Sequence, residues 1–115
     1  MALALELRRI IIFTANMEVM SKFYGDVLGL ELVGREEGWL DFKAGACNIA
    51  LHHGKSRVGG RPPKIQFYVK DVAAARATLV RRGAKEMGKI VSTEKFDMCG
   101  GKDPDGNLFG LSARK

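Results

Sequence analysis

The chain is predicted to be an α+β protein built from two βαβββ modules, each with a helix packed on one face of its strands. Three observations predict it. The order strand, polar cap, helix, glycine occurs twice, short runs alternate apolar and polar residues, and 115 residues accommodate one domain. Placing Arg9 over Lys64 also places Asn16 over Asp71, and Gly29 and Gly83 then differ by one position. On this reading residues 1–115 form a single domain, with module 1 at about 7–53, a connector at 54–63 and module 2 at 64–114.

The first strand is the run Arg-Ile-Ile-Ile-Phe at 9–13, and its repeat is Lys-Ile-Gln-Phe-Tyr-Val at 64–69. Asn16 and Asp71 are positioned to accept from the free N–H groups that open a helix. The first helix carries Met20, Phe23, Tyr24 and Val27 as one apolar stripe, and the second carries Val72, Ala75, Leu79 and Val80. Gly29 and Gly83 suit the left-handed residue just past a helix end, and Arg81 and Arg82 favour the negative end of the helix dipole. Further strands are expected at 31–36, 39–43 and 48–52, then at 85–90, 93–99 and 107–112. Asp103-Pro104-Asp105-Gly106 reads as a type I turn.

Composition limits the function classes. Hydrophobic residues at 46% and charged residues at 28% are ordinary for a folded domain and too apolar for disorder. The apolar opening Met1-Ala2-Leu3-Ala4-Leu5 is interrupted by Glu6, Arg8 and Arg9, too soon for a bilayer span or a secretory leader, so no membrane is expected as a partner and the expected location is cytoplasmic. Cys47 and Cys99 lie in no metal-binding or redox spacing and are expected as reduced thiols, with Cys47 facing a helix. The net charge of +6 is scattered, apart from Lys55, Arg57, Arg61 and Lys64, and no nucleic-acid motif accompanies it, so no nucleic-acid partner is expected. Asp103, Asp105 and Asn107 fail as a calcium loop, because Leu108 and Arg114 stand where that loop needs Gly and Glu.

Alternation divides each strand between two faces. Ile65, Phe67 and Val69 point to the helix, as do Ile49 and Leu51, Leu40 and Phe42, and Phe109 and Leu111. The opposite face collects Arg9, Ile11, Phe13, Trp39, Asp41, Lys43, Asn48, Ala50, His52, Lys64, Gln66, Tyr68, Leu108, Gly110 and Ser112. Aromatic rings among a few polar groups describe a small-molecule pocket; the competing readings are a solvated face and a dimer interface. His52 shares this face and is the candidate for proton transfer or ligand contact, against a hydrogen-bonded histidine at the rim. Adjacent strand residues point to opposite faces, so His52 and His53 do not chelate one metal together.

Phe23-Tyr24, Val27-Leu28-Gly29-Leu30, Trp39 through His52, Phe67-Tyr68-Val69-Lys70-Asp71 and Asp103-Pro104-Asp105-Gly106-Asn107 together resemble the vicinal oxygen chelate superfamily. That group includes glyoxalases, bleomycin resistance proteins and extradiol dioxygenases. The resemblance implies paired modules forming a curved, mostly antiparallel sheet cup with helices on its outer face, a homodimer and, in the enzymes, a divalent metal held on the first and last strands of each module. Carried over, those positions are Arg9, Ala50, Lys64 and Gly110, which supply no ligand set, so neither a metal nor another cofactor is expected.

The function expected is therefore metal-independent binding of a small organic molecule, in the manner of a drug-sequestering protein. Phe13, Trp39 and Tyr68 would pack on the ligand, and Arg9 and Lys64 would hold a negative group. Asp41, Asn48, His52 and Gln66 complete the candidate contacts. For Arg9 and Lys64 the competing reading is an internal ion pair with Asp41 or another acid. Two other functions remain open. One is an enzyme using His52 or Asp41 as acid or base, or a non-standard metal site; the other is a dimerising regulatory module without a small ligand.

Overall fold

The computed structural model describes residues 3–60 and 62–115; Met1, Ala2 and Arg61, read above as parts of the apolar opening and the connector, lie outside the described residues. The fold is α+β, and the chain divides into two compact units, Met1–Ser56 and Arg57–Lys115.

The first unit runs β1 (Arg9–Thr14), α1 (Met17–Lys22), β2 (Glu31–Glu36), β3 (Trp39–Lys43) and β4 (Asn48–His53). Its strands lie in the order β1-β4-β3-β2. β1 pairs with β4 in parallel and the other pairs are antiparallel. A parallel pair cannot be closed by a tight turn. The intervening chain crosses one face as a helix, whose Met20, Phe23 and Tyr24 are buried along with Ile12, Leu40, Phe42, Ile49 and Leu51. α1 does not continue as a regular helix to Gly29. It widens into a π-helical turn at Phe23–Val27, marked by the Leu28 N–H donating to the Phe23 carbonyl at 2.8 Å. Gly25 permits this close packing, since a Cβ there would sit 3.3 Å from the Phe42 ring. Gly29 then takes the left-handed conformation, φ 77°.

The second unit repeats the plan with β5 (Ile65–Tyr68), α2 (Val72–Arg81), β6 (Glu86–Met87), β7 (Val91–Ser92), β8 (Phe96–Lys102) and β9 (Leu108–Arg114). The order is β5-β9-β8-β6, with β7 also on β8, and β5 is parallel to β9. Asp71 caps α2, its Oδ1 accepting from the Ala74 N–H at 3.0 Å, an interaction worth about 1 kcal/mol. Asn16 occupies the matching position before α1, but its side chain makes no capping bond; instead its carbonyl accepts from Met20 N–H and its own N–H donates to Thr14 Oγ1. Within α2, Val72 and Leu79 are buried, whereas Val80 is 46% exposed and is not part of the buried stripe.

Two strand expectations need correction. Residues 85–90 do not form one strand: pairing with β8 stops after Met87, with Gly88 N–H donating a last bond to the Gly100 carbonyl. Residues 93–99 are not continuous either. Thr93 Oγ1 accepts from the N–H groups of Lys95 and Phe96, turning the chain, so β7 ends at Ser92 and β8 starts at Phe96. Cys47 is half-buried just before β4, and both cysteines are free thiols. The Asp103 turn closes as expected, with Gly106 N–H donating to the Asp103 carbonyl and Asp103 Oδ1 accepting from Asp105 and Asn107 N–H. No helix among the described residues is long and apolar enough to cross a membrane.

At the far end of this sheet Ser92 Oγ donates to Asp97 Oδ1, and Lys115 Nζ lies 3.4 Å from the same oxygen. The Ser92 hydroxyl first, then the Lys115 charge and hydrogen bond, outweigh the opposing effect of desolvation and hold the Asp97 carboxyl below the usual aspartate range. A carboxyl whose pKa is depressed by folding stabilises the fold above its unfolded pKa and loses that contribution as the pH falls through the folded value. Ser92→Ala is therefore expected to lower stability most at neutral pH, with the gap to wild type narrowing from about pH 4 downwards. Urea melts across that range check it, and a gap that stays constant with pH contradicts the linkage.

Candidate functional site

The face of each sheet opposite its helix is where the sequence placed the candidate residues. In the first unit the register stacks them in rows. Phe13 opposes His52, which opposes Trp39; one row along, Ile11 opposes Ala50, which opposes Asp41, which opposes Gly34. Arg9 opposes Asn48 in the next row. Arg9, Phe13, Trp39, Asp41, Asn48 and His52 therefore share one sheet face.

The middle row is small on both sides of its acid, and this lets charge be buried on a face without a helix. Ala50 is wholly buried, and a Cβ on Gly34 would stand 3.3 Å from Asp41 Cβ. Asp41, expected on an open face, is only 8% exposed. Arg9 reaches it across β4, its Nη2 donating to Asp41 Oδ2 at 2.9 Å. The same guanidinium lies 5.6 Å from the centre of the Trp39 ring, a cation–π contact worth about 0.5–1 kcal/mol. The Arg9 charge is thus answered within the unit by Asp41 and Trp39.

Beside this pair the aromatic row stays accessible. Phe13 is 51% exposed, and Gly54 lies so close that a Cβ there would be 3.2 Å from the ring, which holds Phe13 in place. His52 is sandwiched, 5.1 Å from Phe13 and 5.8 Å from Trp39 between ring centres, edge-on to the indole. Its Nδ1 is 3.0 Å from the His53 carbonyl. A carbonyl only accepts, so this contact favours the tautomer with its proton on Nδ1, in which Nε2 is the acceptor.

In the second unit Lys64, Gln66 and Tyr68 follow one another on one side of the chain at β5. Gln66 opposes Gly110, and Tyr68, 74% exposed, opposes Ser112. Beyond Gly110 lie Gly100 on β8 and then Gly88 after β6. Gly88 and Gly100 line a groove of about 470 Å³, and Lys64, Lys85 and Lys102 line it too. Lys85 and Lys102 were not among the sequence candidates. Their approach depends on the pairing of β6 with β8, which nothing in the local pattern reveals.

The donor chemistry at the positions where the resemblance implies metal ligands does not fit a divalent ion. Arg9 is a cation committed to Asp41, Ala50 has no donor atom, and Lys64 carries a positive charge. Gly110 has no side chain, and the space a Cβ would need is crowded by Gln66 Oε1 and Lys64 Cδ, both 3.4 Å away. Among the described residues no cluster of three or more His, Cys, Asp or Glu side chains could hold a metal ion.

The Arg9–Asp41 pair is joined at one contact, and its other buried atoms, Arg9 Nε and Asp41 Oδ1, have no hydrogen-bond partner among the described residues. Each charge therefore depends on the other. Asp41→Ala is expected to cost about 1–3 kcal/mol by leaving a half-buried guanidinium unanswered. Arg9→Ala with Asp41→Ala should cost less than the two changes added, with a coupling of about 0.5–3 kcal/mol in urea melts. Strict additivity would mean that the pair contributes nothing to the fold.

Residues 6–111 match the sequence pattern of the Glyoxalase/Bleomycin resistance protein/Dioxygenase superfamily. No curated protein gives a significant match. Among solved structures, a glyoxalase/bleomycin resistance protein/dioxygenase from Nocardioides is similar over 99% of this chain and 86% of its own, with 17% identity and a TM-score of 0.83. A glyoxalase family protein from Bacillus anthracis is similar over 100% and 99%, at 18% identity and a TM-score of 0.82. TnmS3, an antibiotic binding protein from Streptomyces, is similar over 100% and 99%, at 23% identity and a TM-score of 0.79. At these identities the structures bear on the fold alone, and it is the sequence match, spanning both units, that assigns the chain: it belongs to the Glyoxalase/Bleomycin resistance protein/Dioxygenase superfamily.

Proposed function

We propose that the chain binds a small aromatic or anionic organic molecule without a metal ion, as a sequestering protein does. The observation that carries this reading is the Phe13–His52–Trp39 row, accessible aromatic surface held in place by its own backbone and ring contacts. Preorganised rings bind a planar ligand with little ordering cost. The lack of ligand chemistry at Arg9, Ala50, Lys64 and Gly110 supports the metal-free part. That an antibiotic binding protein shares the fold is consistent with it.

Trp39 is the chain's single tryptophan, so its emission reports the site directly. Titration with planar aromatic carboxylates such as 1-naphthoate and anthraquinone-2-carboxylate is expected to quench it saturably, and a chelator should change nothing. Phe13→Ala should weaken binding roughly tenfold, about 1.4 kcal/mol of lost ring contact. No saturable quenching with any member of the set, or binding that needs an added divalent ion, overturns the proposal.

One observation favours a second reading. The Nε2 acceptor of His52, favoured by the Nδ1 contact to the His53 carbonyl, suits an acid–base role. An enzyme would lose turnover in His52→Ala with binding largely retained. Assembly as a homodimer is also part of the proposal, supported by the exposed leucines Leu3, Leu5 and Leu7 on alternate positions ahead of β1. Sedimentation equilibrium is expected to give twice the chain mass, and a monomer at all concentrations would remove this part.

A further inference from the structure

We propose that the groove of the second unit is a separate binding site for an amphipathic organic anion, whose charged group takes the place of a carboxylate present in the first unit and missing from the second. The two units can be laid over one another by strand register. Asp41 opposes Ala50, and in the second unit Gly100 opposes Gly110 at the same place. Arg9 lies two residues before the residue that opposes Ala50, and Lys64 lies two residues before the one that opposes Gly110. Lys64 is therefore the counterpart of Arg9, and Gly100 is the counterpart of Asp41. The cation is kept and its acid is gone.

The side chains follow the same course. The Arg9 guanidinium crosses the Ala50 strand to reach Asp41. The Lys64 stem lies over Gly110, its Cδ 3.4 Å from where a Cβ would be, so it too is laid across the last strand of its unit. At the place matching Asp41 stands Gly100, which offers no carboxylate. Lys85 and Lys102 line the same groove, and Glu86 is the one acid in its lining. Glu86 opposes Lys102 across the strands, yet among the described residues none of these three lysines is in an ion pair. Three cations against one acid leave the groove positive, and a ligand anion relieves their mutual repulsion.

The remainder of the lining is suited to an apolar body. Met87 and Leu108 form walls, and bare backbone at Gly88 and Gly100 forms the floor. That floor is held rigidly from its other side: Arg76 on α2 donates to the carbonyls of Gly88 at 2.8 Å and Met87 at 3.3 Å, and the Cys99 thiol lies 3.2 Å from the Gly88 carbonyl. About 470 Å³ is the size of a small-molecule site. Lysines act as point charges without a fork, so the groove selects for negative charge on an apolar molecule and does not distinguish carboxylate from sulfonate.

The groove lies wholly in the second unit, so its test is separable from that of the aromatic row. The probes are 8-anilinonaphthalene-1-sulfonate and its uncharged relative N-phenyl-1-naphthylamine, each titrated by its own fluorescence at low and high salt. The sulfonate is expected to bind roughly tenfold tighter or more at low salt, and to lose that advantage at high salt. Gly100→Asp restores the missing acid and should abolish the preference; a Cβ at Gly100 meets only the Phe109 carbonyl at 3.9 Å, so the residue fits. Gly100→Asn, of the same shape without the charge, should keep it, which separates charge from bulk or misfolding. Lys85→Ala with Lys102→Ala should also weaken the sulfonate roughly tenfold and the neutral probe little. Equal affinity for the two probes overturns the proposal. So does sulfonate binding that survives Gly100→Asp but is lost in Phe13→Ala, since that would place the anion on the first unit and leave the aromatic-row reading standing.

Discussion

Each unit is governed by one constraint: its first strand pairs with its last in parallel. β1 beside β4, and β5 beside β9, oblige the chain between them to cross one face and return through antiparallel strands. A helix is thereby committed to that face, and the aliphatic and aromatic core collects beneath it. The other face is left free of a helix and carries whatever residues the alternation delivers there. The candidate chemistry of the first unit is a consequence of that division, because Arg9, Phe13, Trp39, Asp41, Asn48 and His52 occupy the phase of their strands that points away from the helix.

The two units share this plan and differ in how they treat the charge it exposes. In the first, small residues at Ala50 and Gly34 make room for Asp41 to be buried beside Arg9, and the pair lies under the indole of Trp39. An acid and a base that answer each other stiffen a face, and the accessible surface beside them is aromatic. In the second, the corresponding positions are glycines, the cation at Lys64 has no acid opposite, and two further lysines join it. The duplicated framework thus presents a neutral, ring-lined surface on one unit and a positive, backbone-floored groove on the other.

How much of this the sequence disclosed follows from how local each signal is. Period-two alternation placed Arg9, Phe13, Trp39, His52, Lys64 and Tyr68 on their faces, and glycine chemistry placed the helix ends at Gly29 and Gly83, whose φ angles of 77° and 105° need no neighbour to explain them. The cap at Asp71 was equally local, while at Asn16 the same residue class stands at a helix start without capping through its side chain. What escaped was non-local or competitive. The Thr93 hydroxyl takes two backbone donors and divides what reads as one strand, the Phe42 ring presses on Gly25 where the helix widens, and Asp41 looks solvent-facing until Gly34 and Ala50 are seen on either side of it. Lys85 and Lys102 belong to a site only once β6 is set against β8.

The missing acid opposite Lys64 bears on energetics as well as binding. A half-buried arginine without Asp41 would be costly, because its five donors need partners and its guanidinium sits where water is scarce. A lysine tolerates the loss: its stem packs on Gly110 while the ammonium stays at the exposed edge of the groove, in water. Replacing arginine by lysine and aspartate by glycine at matching places is therefore a coupled change. It removes a structural ion pair without leaving a buried charge, and what it opens is a solvated cation over an uncovered floor. A unit that kept Arg9's chemistry could not have surrendered the acid at so little cost to its fold.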